Sequence, residues 1–524
     1  MNDWWPAAAR TKRSVAAAGV FVGLLILVPL SIMMLASALR ESSAIGLAVC
    51  PPSWERLWLL AARSAGIAFG AATLSVLSGG GLAWMLLSRP GFLPRARELF
   101  LLPLVVPPYL LTLGWVAAAD VVAMHFSLQP GLSGPGWTVI ILGLAAAPPV
   151  ALVLEAVLRR NLAAPFESAL MAFGPAGAVR MVVIPVLRRP AAAVWLFVFG
   201  QALAEYGVPL YLQTPVLATE LVSSFTGGSP AGIVLLSSWP LALLVGCTAA
   251  AWSVMVSREG VSRRAGERPG RPLWLDASAW PVGWRVGTAI GGCAAACGIA
   301  VPVAGLALGA LRAGGGAAML VAALPAMRTS VAIAGGCALV ALVPALILGD
   351  ALGAAAKRIP LMVSALALAI PAGCTGIAHA GFWNMSPFAG GEAAIWCGHL
   401  ARILPAAWLV AAFMRGPAGF PPAVEAAMML PGSAFRRSLL RMRLELPRVC
   451  AVAGVAFAVS IRELDISLLT VPPGGETLPL RLFNLMHYGA GGDVCRLGLL
   501  LGLLLALVTH IAAIVALPER KGSV

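Results

Sequence analysis

Charge is what this sequence most lacks. Only 11% of its 524 residues are Asp, Glu, Lys or Arg, where a soluble globular domain carries about 25%. Lysine is nearly missing: Lys12, Lys357 and Lys521 are the whole complement. A phosphate-cradling loop of the form G-x-x-x-x-G-K-[ST] needs Lys directly after Gly. None of the three follows a Gly, so the chain carries no such ATPase motif. Histidine is scarce and scattered, and His125, His379, His399, His487 and His510 form no H-E-x-x-H or other catalytic spacing. No catalytic residue is expected, which argues against an enzyme. The nine cysteines contain no C-x-x-C pair and no zinc spacing. They read as small apolar residues in helix packing, with no metal held by this chain.

Apolar surface is what the sequence has in excess. Hydrophobic residues make up 60% of the chain, and its mean hydropathy is +0.92. A single soluble core stops growing at roughly 250–300 residues, so this excess must face lipid. Runs of about 20 apolar residues, each able to cross about 30 Å of hydrocarbon as a helix, recur along the chain. They lie near 14–39, 61–87, 99–119, 137–158, 190–212 and 231–256 in the first half. In the second they lie near 286–310, 329–353, 360–383, 393–414, 448–470 and 494–517. The expectation is an all-α integral membrane protein of about twelve spans in two halves, 1–256 and 286–524, joined by a basic cytoplasmic linker at 257–285. The first run is too long for a cleaved signal and reads as a retained helix.

The net charge of +15 would suggest nucleic acid in a soluble protein. Here the basic residues alternate from loop to loop instead of forming a patch. Arg89, Arg95 and Arg97 follow the second run, and Arg159, Arg160, Arg180, Arg188 and Arg189 lie between the fourth and fifth. Arg436, Arg437, Arg441, Arg443 and Arg448 follow the tenth, whereas the stretch from Asp120 to Trp137 has no Lys or Arg. The positive-inside rule then places both termini and the basic loops in the cytoplasm. No nucleic-acid partner is expected.

A constant offset of 258 positions links the halves. It relates Glu167 to Glu425, Gly174 to Gly432 and Glu205 to Glu463. Around them, Glu167-Ser-Ala-Leu-Met-Ala-Phe-Gly174 parallels Glu425-Ala-Ala-Met-Met-Leu-Pro-Gly432. Both octapeptides lie in the basic loop before the fifth run of their half. Two parallel six-helix repeats follow, related by an axis along the membrane normal.

At these residues the sequence resembles the permeases of bacterial binding-protein-dependent ABC importers, whose cytoplasmic coupling loops carry a Glu-Ala-Ala…Gly element. The likeness covers most of the chain, as a fused permease of the type I fold. Ala204-Glu205-Tyr206-Gly207-Val208-Pro209 and Arg462-Glu463-Leu464-Asp465-Ile466-Ser467-Leu468-Leu469 look like the ferric-iron branch. The spacing from Glu to Gly is one residue longer than usual, and Ser168 stands where Ala is common. The resemblance implies a permease in the bacterial inner membrane that imports a periplasmic solute, ferric iron first, delivered by a solute-binding protein. Two ATPase subunits would supply the energy; ATP would be used there, and this chain would bind no cofactor. Glu167, Ser168, Ala169 and Gly174, with Glu425, Ala426, Ala427 and Gly432, would form the two coupling loops, each carrying a short helix that docks on an ATPase subunit. Thiamine, phosphonate, sulfate or polyamine permeases share this architecture, and a six-plus-six secondary transporter is the rival outside the family.

For the translocation path the candidates are Glu205, Tyr206, Arg462, Glu463 and Asp465. Ionisable groups within apolar runs are costly unless they face a cavity or a partner. Glu205 and Glu463 fall inside the fifth and eleventh runs, and the oxygens of Tyr206 and Asp465 suit a hard cation. In the structural alternative, Arg462 neutralises Glu463 or Asp465 and the cluster ties helices together.

Overall fold

The computed structural model describes residues 53–88, 105–126, 131–258, 280–312, 316–350, 370–415, 433–487 and 491–516, with a few isolated residues between them. Their regular structure is entirely helical. That follows from the solvent: in hydrocarbon a backbone N–H or C=O has no water to bond, and a helix satisfies both internally.

The first half comprises α1 (Trp54–Ser88), α2 (Pro108–Phe126), α3 (Pro135–Asn161), α4 (Ala163–Ala178), a π turn (Val179–Val183), α5 (Ile184–Ala204), α6 (Gly207–Tyr211), α7 (Leu217–Thr226), α8 (Ala231–Ser237) and α9 (Trp239–Arg258). The second comprises α10 (Val282–Arg312), α11 (Gly316–Asp350), α12 (Ala372–Asn384), α13 (Ala393–Arg415), α14 (Ala434–Ile461), α15 (Asp465–Thr470), α16 (Leu478–His487) and α17 (Gly491–Ala516). Among the described residues, nine helices are long and apolar enough to cross a membrane, or ten if α8 and α9, bent by 54°, make one span. The protein is therefore a multi-pass helical membrane protein.

Of the twelve expected runs, 14–39 lies almost wholly outside the described residues. The run at 360–383 is described mainly as α12, whose 13 residues reach only ~20 Å at 1.5 Å per residue, too short to cross alone. Two further expectations need correction. The runs 190–212 and 448–470 are not continuous helices: α5 stops at Ala204 and α14 at Ile461. The basic stretch before the fifth run is not a loop with one short helix either. It is helical as α4 and the π turn, and the apolar helical stretch runs from Pro165 to Ala204. The one interruption is Gly174, with φ 70° and ψ −177°, followed by Pro175. Glycine alone tolerates that backbone, and Pro restarts a helix readily at its first turn.

Packing follows one scheme twice. In the first half α1 packs on α3 and α5, and α5 on α9; in the second, α11 packs on α13 and α14, and α14 on α17. The helix α10 departs from this scheme, because it lies against α1, α2 and α3 of the first half as well as α17. The approach is close enough that a Cβ on Gly114 would collide with the backbone of Pro302, and one on Gly305 with that of Gly114. Trp54 and Trp58 meet Trp239 at one end of α1, while Trp84 meets Trp280 and Trp284 at the other. Such clusters at both ends of a span suit the two membrane interfaces.

Candidate functional site

The two helix breaks bring the path candidates to the seam between the halves. In the first, Glu205 leaves the helix with an extended backbone (φ −74°, ψ 128°), and α6 begins at Gly207. Pro209 explains part of this, since it has no N–H to give to the carbonyl of Glu205. The Glu205 carboxylate takes the next donor itself: the Val208 N–H donates to Oε1 at 3.4 Å. In the second break Arg462, Glu463 and Leu464 separate α14 from α15, and Asp465 opens the new helix. The helices α6 and α15 thus begin 258 positions apart, at 207 and 465.

Each break is followed by an amphipathic helix held by one buried serine. The first N–H of α7, Leu217, donates to Ser64 Oγ of α1 at 3.0 Å. The first N–H of α16, Leu478, donates to Ser330 Oγ of α11 at 2.7 Å. Both orphan donors at these helix starts are thereby satisfied.

The seam is crossed at two points beside the breaks. Arg462 Nη1 donates to the Val105 carbonyl of the first half at 3.4 Å. The ring of Tyr206 lies 6.4 Å from that of Phe483 in the second half. Tyr109 of α2 is buried, its hydroxyl without a hydrogen-bond partner among the described residues, and the charges of Arg462, Glu463, Asp465 and Glu205 all act on it. Arg402 of α13 donates to the carbonyls of Leu368 and Ile370, at 2.7 and 2.9 Å, and its charge acts on Asp465 and Arg462. Between Tyr206, Val222, Leu241, Pro371, Cys374 and Asp465 there is a small gap, with room for about one water.

Glu205, Glu463 and Asp465 are each half-buried. Among the described residues none of them forms an ion pair with a basic side chain. The charge of Arg462 nevertheless acts on Glu463 and Glu205, so electrostatic compensation reaches these carboxylates without an ion pair at contact distance. Nor, among the described residues, do three His, Cys, Asp or Glu side chains converge as a metal site would require. The arrangement is a diffuse acidic region facing two guanidinium groups that are engaged with backbone carbonyls.

At the end of α1 remote from Trp54, α4 carries the first set of coupling candidates. Ala169 is buried, Ser168 exposed and Glu167 half-buried, with Gly174 at the kink. Just before them Phe166 is fully buried and stacked on Trp280 at 4.4 Å and 15°. Met171 and Phe173 project outward, 82% and 65% exposed. In the second set, Ala426 is helical and exposed, while Glu425, Ala427 and Gly432 lie outside the described residues. Met429, 258 positions beyond Met171, is 84% exposed.

Residue reading missed several of these groups. Met171 and Met429 sit inside the paralleled octapeptides, so the offset could have found them. Tyr109 and Arg402 could have been flagged only as polar groups within apolar runs. No family model, curated protein or solved structure matches the chain.

Proposed function

We propose that this protein is the membrane-spanning permease of a bacterial binding-protein-dependent ABC importer, built as two parallel six-helix repeats. It imports a periplasmic solute, ferric iron first among the candidates, with ATP hydrolysed by two partner subunits beneath it. Its termini lie in the cytoplasm. The observation that carries this reading is the matched pair of helix breaks, each placing a Glu at the seam, 258 positions apart. Broken helices that meet near a seam between repeats are the usual place for a transported solute. The exposed Met171 and Met429 fit this reading, in which the two octapeptides stand at the cytoplasmic surface and a large apolar side chain there meets a protein partner.

A second reading of the cargo has its own support. The three carboxylates do not gather as a hard trivalent metal would require, whereas Tyr206, Tyr109 and Phe483 offer aromatic faces beside diffuse negative charge. That pairing suits an organic cation such as thiamine or a polyamine.

Two sets of variants test the proposal in purified complexes and in membranes. Met171→Glu and Met429→Glu are expected to leave insertion intact and to weaken ATPase co-purification about 30-fold, the cost of losing a hot spot. Glu205→Gln and Glu463→Gln are expected to keep folding and ATPase binding while uptake of ferric iron, or of thiamine or spermidine, falls at least about tenfold. Undiminished binding and uptake in all four variants would remove the importer reading. Uptake of an anion alone would remove the cationic cargo.

A further inference from the structure

The second break is braced by a residue for which the transport reading has no use. His399 of α13 is buried, with Nδ1 2.9 Å from Ser460 Oγ and Nε2 3.1 Å from Ser467 Oγ. Ser460 belongs to the last turn of α14 and Ser467 to α15, so the imidazole spans the non-helical residues between them. Ser467 Oγ in turn donates to the Glu463 carbonyl at 2.9 Å. A hydroxyl has one proton, so Ser467 must accept from Nε2–H, and Nδ1 accepts from Ser460. The chain of bonds closes a ring around residues 460–467, which contains Arg462, Glu463 and Asp465. A buried histidine on an apolar helix is commonly just a satisfied core residue. This one is tied to both sides of a break, and the 258 offset places Ile141, Ala202 and Pro209 at the corresponding positions of the first half, where no such bonds can form.

We propose that His399 is a positioning residue that holds the second break in one shape, fixing Glu463 and Asp465 in the path, while the unbraced first break at Glu205–Gly207 supplies the motion. This rests on the permease reading for its functional half only. The Glu205 carboxylate, bonded to the Val208 N–H of its own segment, exchanges that donor for the passing cation. Glu463 keeps its place.

The test reads backbone exchange on the full-length protein in lipid nanodiscs, and transport separately in vesicles of the native membrane supplied with its ATPase subunits and binding protein. In His399→Leu, amide hydrogen exchange across 463–468 is expected to quicken about tenfold, the loss of roughly one buried hydrogen bond, with 205–211 unchanged. Half-saturation for uptake of whichever probe is carried, ferric citrate, thiamine or spermidine, should rise about tenfold with the maximal rate kept within about twofold. His399→Gln, whose amide NH2 can donate to Ser467 and whose carbonyl oxygen can accept from Ser460, should restore both, and Ser467→Ala should reproduce the loss should His399→Leu fold poorly. Unchanged exchange at 463–468 in both His399→Leu and Ser467→Ala overturns the brace. Faster exchange with unaltered half-saturation overturns the positioning role. If the wild type carries none of these probes, the cationic cargo fails, and the exchange arm still decides the brace.

Discussion

The two helix breaks share a backbone course but not the chemistry that supports it. The first is made locally, by Gly207 and Pro209 and by a Glu205 carboxylate that turns back on its own chain. The second contains neither Gly nor Pro between Arg462 and Leu469, and it is spanned by bonds to His399, more than 60 positions earlier. Downstream the two regions agree again, since Ser64 and Ser330 each hold the start of the following helix. Where the halves agree, the interaction satisfies a backbone group that any such fold must satisfy. Where they differ, one half carries a side-chain bridge that the other lacks.

The strongest way to break the comparison is to treat the halves as separable. If they were independent units joined by a linker, the crossing of α10 onto α1, α2 and α3 would be incidental. Gly114→Leu places a branched side chain against the Pro302 backbone, which cannot rotate away. The expected cost is at least the ~1–3 kcal/mol of an overpacked core, and more where backbone must move. A sharp loss of monodisperse protein on solubilisation, with a lower melting temperature, is the predicted outcome. A variant that behaves as the wild type would mean that α10 does not dock there.

Next in size are the paired serines, which sharpen the comparison. Ser64→Ala and Ser330→Ala each leave one buried N–H, that of Leu217 or Leu478, without its acceptor. Each is expected to cost about 1–3 kcal/mol, and the two melting shifts should agree within error. A large effect in one half only would show that the similarity of the two regions is a matter of backbone course and not of energetics.

The sequence made some of this legible and hid the rest for physical reasons. Apolar runs located α3 and α13 to within a few residues, because hydropathy over a full span is a strong signal. The same averaging hid the breaks at Ala204 and Ile461: a few residues of non-helical chain barely change a window of about 20. Pro209 was a local hint of the first break. The second had none, since it contains neither Gly nor Pro and the bonds that span it reach a distant helix. The basic stretch containing Arg180 and Arg188 was expected as a loop with a short helix, yet charge on a helix surface reads like charge on a loop. Only Gly174 marked where that helix bends.

The smallest expected effect concerns the ion pairs beside α7 and α16, which differ in reach. Arg56 of α1 meets Glu220 of α7 through two nitrogens, Nε and Nη2, at 2.8 and 3.0 Å, across 164 positions of sequence. Arg481 of α16 meets Glu476 at 2.8 Å, only five positions away. Both pairs are partly exposed, so water and salt weaken them, and neither should govern folding. They differ in what they join. Losing Glu476 frees a side chain within one segment, whereas losing Glu220 unties α7 from α1, leaving the Ser64 bond and apolar packing to hold it. Glu220→Gln should therefore quicken amide exchange in α7 measurably, and Glu476→Gln should leave α16 nearly unchanged, with melting shifts below those of the serine variants. Raising salt to about 1 M, where the Debye length falls to about 3 Å, should reproduce the Glu220→Gln effect in the wild type and add nothing in the variant. Equal exchange in α7 and α16 for the two variants would mean that the long-range pair is ornament on a surface already fixed by packing, and that the halves are alike there too.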